Sequence, residues 1–304
     1  MFDTSVAQRA LAPLLIVLLT AVWLGGGVTA DSTAVDESLQ LLALPVLALA
    51  GWVHLRQGIQ HGVQRAGILV ALLVVAVPAL QLLPLPMDGW LAADARRALT
   101  ADLQVAGVQA LHPHWSLAPA ATEAALWSML PALAAFLAAL ALAHGAMRRH
   151  VVKALLLLVA GNVAFAFFQA GLPHDSTLRL YQDFDAQFGG LFANTNHMAT
   201  ALIIGMVLAV GQAVRAWRRQ AEGRSAVWAW LPYAGMAVCF LLLVPLSTSR
   251  AGMALALPAL AATLLVTGAV PLRRLGRSKR ITLIALAAAL VAGVGMHVAM
   301  GWMA

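Results

Sequence analysis

Apolar runs of about twenty residues recur along almost the whole chain, broken only by short polar stretches. A helix rises 1.5 Å per residue, so roughly 20 apolar residues cross the hydrocarbon core of a bilayer. Nine segments meet that length, at about 10–28, 38–55, 66–83, 123–144, 152–171, 196–214, 226–246, 250–270 and 281–303. The second is short and holds Pro45, and the seventh and eighth are separated only by Ser247-Thr248-Ser249. Pro131 and Pro258 fall inside spans, where neighbouring helices can satisfy the freed carbonyls. The expected fold is all-α: one polytopic transmembrane bundle over residues 1–304 with about nine helices.

Composition agrees. Of 304 residues, 62% are hydrophobic and 10% charged, against about 25% charged in a soluble domain. Too few polar side chains exist to cover a water-facing globule, which excludes a soluble enzyme and a disordered chain. The net charge of +7 invites a nucleic-acid reading, but the basic residues come in short bursts between apolar runs. That is a topology signal, and no nucleic-acid partner is expected. Cys239 is the only cysteine and lies within an apolar run, so it offers neither an internal disulfide nor a metal site. Membrane lipids are the first partner implied.

Charge sets the orientation. With the N-terminus in the cytoplasm and strict alternation, all but four of the 19 basic residues fall inside. The outside keeps Arg96, Arg97, Arg179 and Arg250, and takes all but two of the 12 acidic residues. This bias predicts a cytoplasmic N-terminus and an extracytoplasmic C-terminus. A signal peptide cleaved after Val28-Thr29-Ala30 is the alternative for the first segment, although its apolar run exceeds the usual 7–15 residues. Two outer loops are long enough to hold chemistry, 84–122 and 172–195. Residues 90–110 of the first read as an amphipathic helix on the membrane surface.

Polar residues collect in two places on the outer face. One runs from Arg179 to His197, the other from Ser247 to Gly252. Each opens a helix that runs inward, and a helix N-terminus presents free N–H groups and about half a positive charge. Asn194, Thr195 and Ser249 are good N-cap types. Arg250 adds a full charge to an already positive end, which is unfavourable without an anion. Dipole, N–H groups, hydroxyls and guanidinium together suit a phosphate or diphosphate, with Arg179 as a second fork. Each residue also has a plainer reading. Asn194 and Ser249 serve as ordinary caps, and Arg250 snorkels to headgroups. His197 bonds a neighbouring carbonyl, and Arg179 pairs with Asp175 and Asp183.

The other histidines carry less. His112 and His114 lack a third ligand for zinc. His54, His61, His144 and His150 read as interfacial, His174 lies in the second outer loop, and His297 as a contact between helices. Asn162 and Gln169, seven apart, share one face of the fifth span and read as interhelical contacts. No Walker loop, dinucleotide fingerprint, Gly-x-Ser-x-Gly elbow or intramembrane carboxylate pair occurs.

Three stretches resemble the O-antigen ligase/polymerase superfamily of bacterial membrane glycosyltransferases. They are Gly189-Gly190-Leu191-Phe192-Ala193-Asn194-Thr195-Asn196-His197-Met198-Ala199 and Leu246-Ser247-Thr248-Ser249-Arg250-Ala251-Gly252. The third is the first outer loop, from Leu83-Pro84-Leu85-Pro86 to Ser116-Leu117-Ala118-Pro119-Ala120-Ala121-Thr122, with Ala118 where the family has Asp. Their order and spacing match over most of the chain. The resemblance implies a GT-C-like fold in the bacterial inner membrane and a donor glycan on undecaprenyl diphosphate, with no metal or other cofactor. An acceptor hydroxyl, on glycan or lipid, attacks the anomeric carbon, and lipid diphosphate leaves. Arg250 and, less directly, Arg179 take the catalytic role by resemblance, with Asn194, Asn196, His197, Ser247 and Ser249 contacting substrate.

Family members continue into a large extracytoplasmic loop and further spans, and in ligases that loop carries a proposed general-base histidine. The sequence given stops at Ala304, where such a loop begins, so a fragment or a short member is expected. Neither His197 nor His297 is assigned as the base. Two rival readings stand beside this one: a secondary transporter or anion permease, and a truncated, non-catalytic member of the family.

Overall fold

The structure, a computed structural model, describes residues 4–26, 33–58, 62–107, 113–142, 147–173, 175–181 and 188–269. Outside these residues lie the ninth expected span at 281–303, the basic run at 273–280 and Val28-Thr29-Ala30. So do His61, His112, His144, His174, His297, Asp183 and Asp185.

Among the described residues the regular structure is helical, apart from one isolated bridge between Pro84 and His114. The long helices are α1 (Thr4–Gly25), α2 (Thr33–Gln57) and α3 (Gly62–Gln81). After α3 come α4 (Met87–Leu91) and α5 (Asp94–Val105) in the loop that follows the third long helix, then α6 (Pro119–Ser128) and α7 (Leu130–Ala141). The remainder is α8 (Arg148–Ala170), α9 (Thr195–Ala221), α10 (Leu231–Leu243) and α11 (Arg250–Val266). A 3₁₀ turn, Val244–Ser247, extends α10.

Six helical stretches are long and apolar enough to cross a bilayer, α6 and α7 counting together as one. They coincide with the first six segments read from the sequence. The seventh and eighth are shorter than expected. Residues 227–230 form turns and α10 begins only at Leu231-Pro232. At the other end α11 stops at Val266, where Gly268 takes φ +65° and Arg218 donates to the Thr267 carbonyl. Hydropathy sees the apolar run, but helix length depends on where the backbone turns. Pro131 likewise does more than sit inside a span. Its missing N–H and ring bulk divide the fourth segment into α6 and α7.

Leu69, Leu72, Leu73, Val77 and Leu80 of α3 are all exposed. So broad an apolar surface is unstable in water and ordinary in lipid. The chain is a multi-pass helical membrane protein.

Two compact units are built mainly on α1–α7 and on α8–α11. In the first, α7 packs on α2 and α3, with the small residues Ala134, Ala138 and Ala141 buried. Small side chains let helix backbones approach. The last turn of α7 leaves carbonyls without helical donors, and three other helices supply side chains to it. Gln8 Nε2 donates to the Ala141 carbonyl at 3.3 Å, Gln64 Nε2 to Leu140 at 3.4 Å, and His54 Nε2 lies 3.0 Å from the Leu137 oxygen.

The segment between α3 and α6 is more ordered than a connector needs to be. As expected, it holds a helix within 90–110, although α5 ends at Val105. Trp90 Nε1 donates to Thr100 Oγ1 at 2.9 Å, and Arg96 lies over the Trp90 ring while donating to the Trp115 carbonyl. Ser116 and Thr122 hydroxyls meet at 2.7 Å around the start of α6. Ala118, the N-cap of α6, offers no side-chain acceptor.

The second unit has a continuous core. Val159, Val163 and Ala166 of α8 meet Met198, Leu202, Met206 and Ala209 of α9, and Ala237 and Phe240 of α10 close it. Gly205 sits where these helices approach most closely: a Cβ there would lie 2.8 Å from Val159 and 2.9 Å from Phe240. Gly211, two turns on, faces open space.

Two opposite effects are expected in detergent thermal melts. Gly211→Ala stabilises by up to about 1 kcal/mol through helix propensity, whereas Gly205→Ala destabilises by about 1–3 kcal/mol through overpacking. Ala118→Asp restores a cap acceptor to α6 and raises stability by about 1 kcal/mol.

Candidate functional site

The site is built by two short irregular segments, each leading into a helix. The first is the Gly189-Gly190-Leu191-Phe192 turn. Gly190 takes φ +61°, and the space a Cβ would occupy is filled by Asn162 of α8. Only glycine fits there. Asn162 is 1% exposed, and its Oδ1 accepts from the Leu191 N–H at 2.7 Å while its Nδ2 donates to Met198 Sδ at 3.1 Å. From the preceding loop Tyr181 donates its hydroxyl to the Leu191 carbonyl at 3.2 Å. Partial burial holds the Tyr181 phenol above its ordinary pKa, which keeps that donor protonated. Phe188 packs edge-on against Phe167, with centroids 5.0 Å apart. The turn is thus bonded from both sides and aims the chain into α9.

Asn194 caps α9: its side chain accepts from the Asn196 N–H at 2.8 Å. That agrees with the plain cap reading.

The second segment is Ser247-Thr248-Ser249. Pro245 favours the 3₁₀ turn that precedes it, and Thr248 takes the left-handed conformation at φ 57°. Ser247 is buried, donates to the Val244 carbonyl at 2.7 Å and accepts from the Ser249 N–H at 3.3 Å. Ser249, 3% exposed, caps α11 by accepting from the Gly252 N–H at 3.0 Å.

One hydrogen bond joins the two segments. Ser249 Oγ donates to Asn196 Oδ1 at 2.6 Å, across 53 residues of sequence. Beside it Gly252 packs so closely on Ala199 that a Cβ could not be accommodated. The N-termini of α9 and α11 therefore stand side by side, and their positive ends add. No acidic residue occurs between 188 and 221 or between 231 and 269. Arg250, the first residue of α11, is exposed and has no hydrogen bond or ion pair among the described residues.

Of the seven residues singled out in the sequence, the structure brings together Asn194, Asn196, Ser247 and Ser249, with Arg250 next in the chain. His197 lies on the same first turn of α9 with its ring exposed, edge-on to Phe192 at 6.2 Å. Among the described residues its ring bonds no neighbouring carbonyl. Arg179 does not join the cluster: its guanidinium donates to the Leu172 carbonyl at 2.9 Å. That replaces the expected pair with Asp175; Asp183 lies outside the described residues. Two contributors were under-read in the sequence. Asn162, which the sequence marks as an interhelical contact, also holds the glycine turn, and Tyr181 carries no signal in the sequence. A buried amide two turns from the end of an apolar helix, facing a Gly-Gly pair, is the signal that points to the first.

No family model, curated protein or solved structure matches this chain.

Ser249→Ala removes a helix cap and the link to Asn196 together, so it should lower stability by about 1–2 kcal/mol in a detergent melt. Ser249→Thr keeps the hydroxyl and should recover most of the loss.

Proposed function

We propose that the chain is an O-antigen ligase/polymerase-like protein of the bacterial inner membrane, handling a glycan carried on undecaprenyl diphosphate. The observation that carries this reading is the Ser249–Asn196 bond, which sets two positive helix ends beside Arg250, an arginine without a partner among the described residues. Such a place favours an anion with more than one charge, and a diphosphate offers it. The three stretches that resemble the family meet here or lead into the outer loops. In this reading the acceptor hydroxyl attacks the anomeric carbon and the bond to the diphosphate breaks. Its electron pair leaves with the lipid diphosphate, which takes up the hydroxyl proton, while Arg250 and the two helix ends stabilise the departing charge. Arg179 acts as a second fork only after reorientation away from Leu172. Asn196 and His197 are exposed on the first turn of α9, and Asn194, Ser247 and Ser249 support the two helix ends through their caps.

The reading also takes nine spans in a GT-C-like arrangement, a cytoplasmic N-terminus and the site on the outer face. The charge pattern supports that orientation, with only four basic residues outside.

Binding of an undecaprenyl diphosphate-linked glycan to the full chain in detergent tests it. Arg250→Ala should weaken binding about tenfold or more, and Arg250→Lys should fail to restore it, because lysine lacks the planar fork. Unchanged binding in both variants overturns the proposal. So does a reporter inserted at 247–252 that reads as cytosolic.

A further inference from the structure

The opposite end of α9 has a different chemistry. Ala213, Val214 and Trp217 of α9 and Trp230 at the start of α10 line an open apolar slot of about 250 Å³. The turn between the helices folds back on the end of α9. Ser225 Oγ donates to the Ala216 carbonyl at 3.2 Å, and Gln220 Oε1 accepts from the Trp228 N–H at 3.2 Å. Trp228 takes φ 74°, a strained conformation for a bulky residue, and it stands exposed with Val227 and Trp217. Three indoles thus gather at one helix end.

Arg215, Arg218, Arg219 and Arg224 fall within the same ten residues, and Glu222 is the only acid between 188 and 269. Arg218 is engaged, donating to the Thr267 carbonyl at the end of α11. Arg224 pairs with Glu222 at 3.3 Å, both exposed. Arg219 is exposed and has no partner among the described residues. A helix C-terminus carries about half a negative charge, which four arginines far exceed. Compensation of the dipole accounts for only part of this charge, and the inside bias of basic residues read from the sequence sets the remainder at headgroup level.

We propose that this end of the second unit binds one anionic phospholipid. An acyl chain lies in the slot between Trp217 and Trp230, the phosphate lies near Arg219 and Arg224, and the indoles sit at headgroup level. A zwitterionic lipid fills the slot equally well but gains nothing from the surplus charge, so selectivity for the negative headgroup is the observable. The inference stands apart from the glycan reading, because it uses neither Arg250 nor the joined helix ends.

The test reconstitutes the full chain in phosphatidylcholine vesicles with a small fraction of brominated-chain lipid, and reads quenching of tryptophan fluorescence. Brominated phosphatidylglycerol should quench at a lower mole fraction than brominated phosphatidylcholine. Each of Arg219→Gln and Arg224→Gln should reduce that preference by about fivefold, and Arg219→Lys should keep it, since the attraction is to charge. Trp217→Phe should remove part of the quenched signal. Equal quenching by the two lipids overturns the proposal, as does a preference that survives Arg219→Gln and Arg224→Gln combined.

Discussion

In hydrocarbon no water takes up a stray N–H or carbonyl, and this constraint governs every irregular stretch of the chain. Among the described residues, several helix breaks carry their own replacement partners. Ser128 Oγ bonds back to the Ala125 carbonyl just before α7 begins. The end of α7 is met by Gln8, His54 and Gln64 from three other helices. At the 3₁₀ turn the Ser247 hydroxyl both donates and accepts, and at the glycine turn Asn162 does the same with its amide. Polar side chains inside this protein are concentrated at such breaks, where they substitute for missing helical hydrogen bonds.

The same substitutions create the candidate site. The first N–H groups of a helix lack intrahelical acceptors, and Asn194 and Ser249 supply one each for α9 and α11. Ser249 has a hydrogen left after accepting from Gly252, and it spends that hydrogen on Asn196. Capping alone would leave two separate positive ends. The link makes them one, and Gly252 lets the helices come near enough for it. Charge is therefore divided along the second unit. One end has two helix N-termini and Arg250, which has no partner among the described residues. The other has four arginines and exposed indoles, suited to a lipid surface.

Much of this could be read from residues alone. The first six spans were legible because apolar length is a local property. The caps at Asn194 and Ser249 were legible because cap residues act on N–H groups two or three positions away. The lengths of the seventh and eighth segments were not, because Trp228 and Gly268 turn the backbone inside runs that hydropathy scores as continuous. The break at Pro131 was half legible: proline marks the place, but whether a span bends or divides depends on its neighbours. Arg179 shows the remaining gap. Sequence proximity suggested a carboxylate partner, yet the loop folds its guanidinium onto the Leu172 carbonyl.

By itself the sequence determined the solvent: with this much apolar length and so little charge, the chain has to be helical and has to cross a bilayer. It also determined which residues are chemically able to meet an anion. Tertiary structure alone decided which of them meet each other. Asn196 and Ser249 are 53 residues apart, and their bond depends on the close passage of α9 and α11. Asn162 reaches the glycine turn only because α8 packs along α9. Local pattern reports what each helix end offers, and only packing brings two ends to one place.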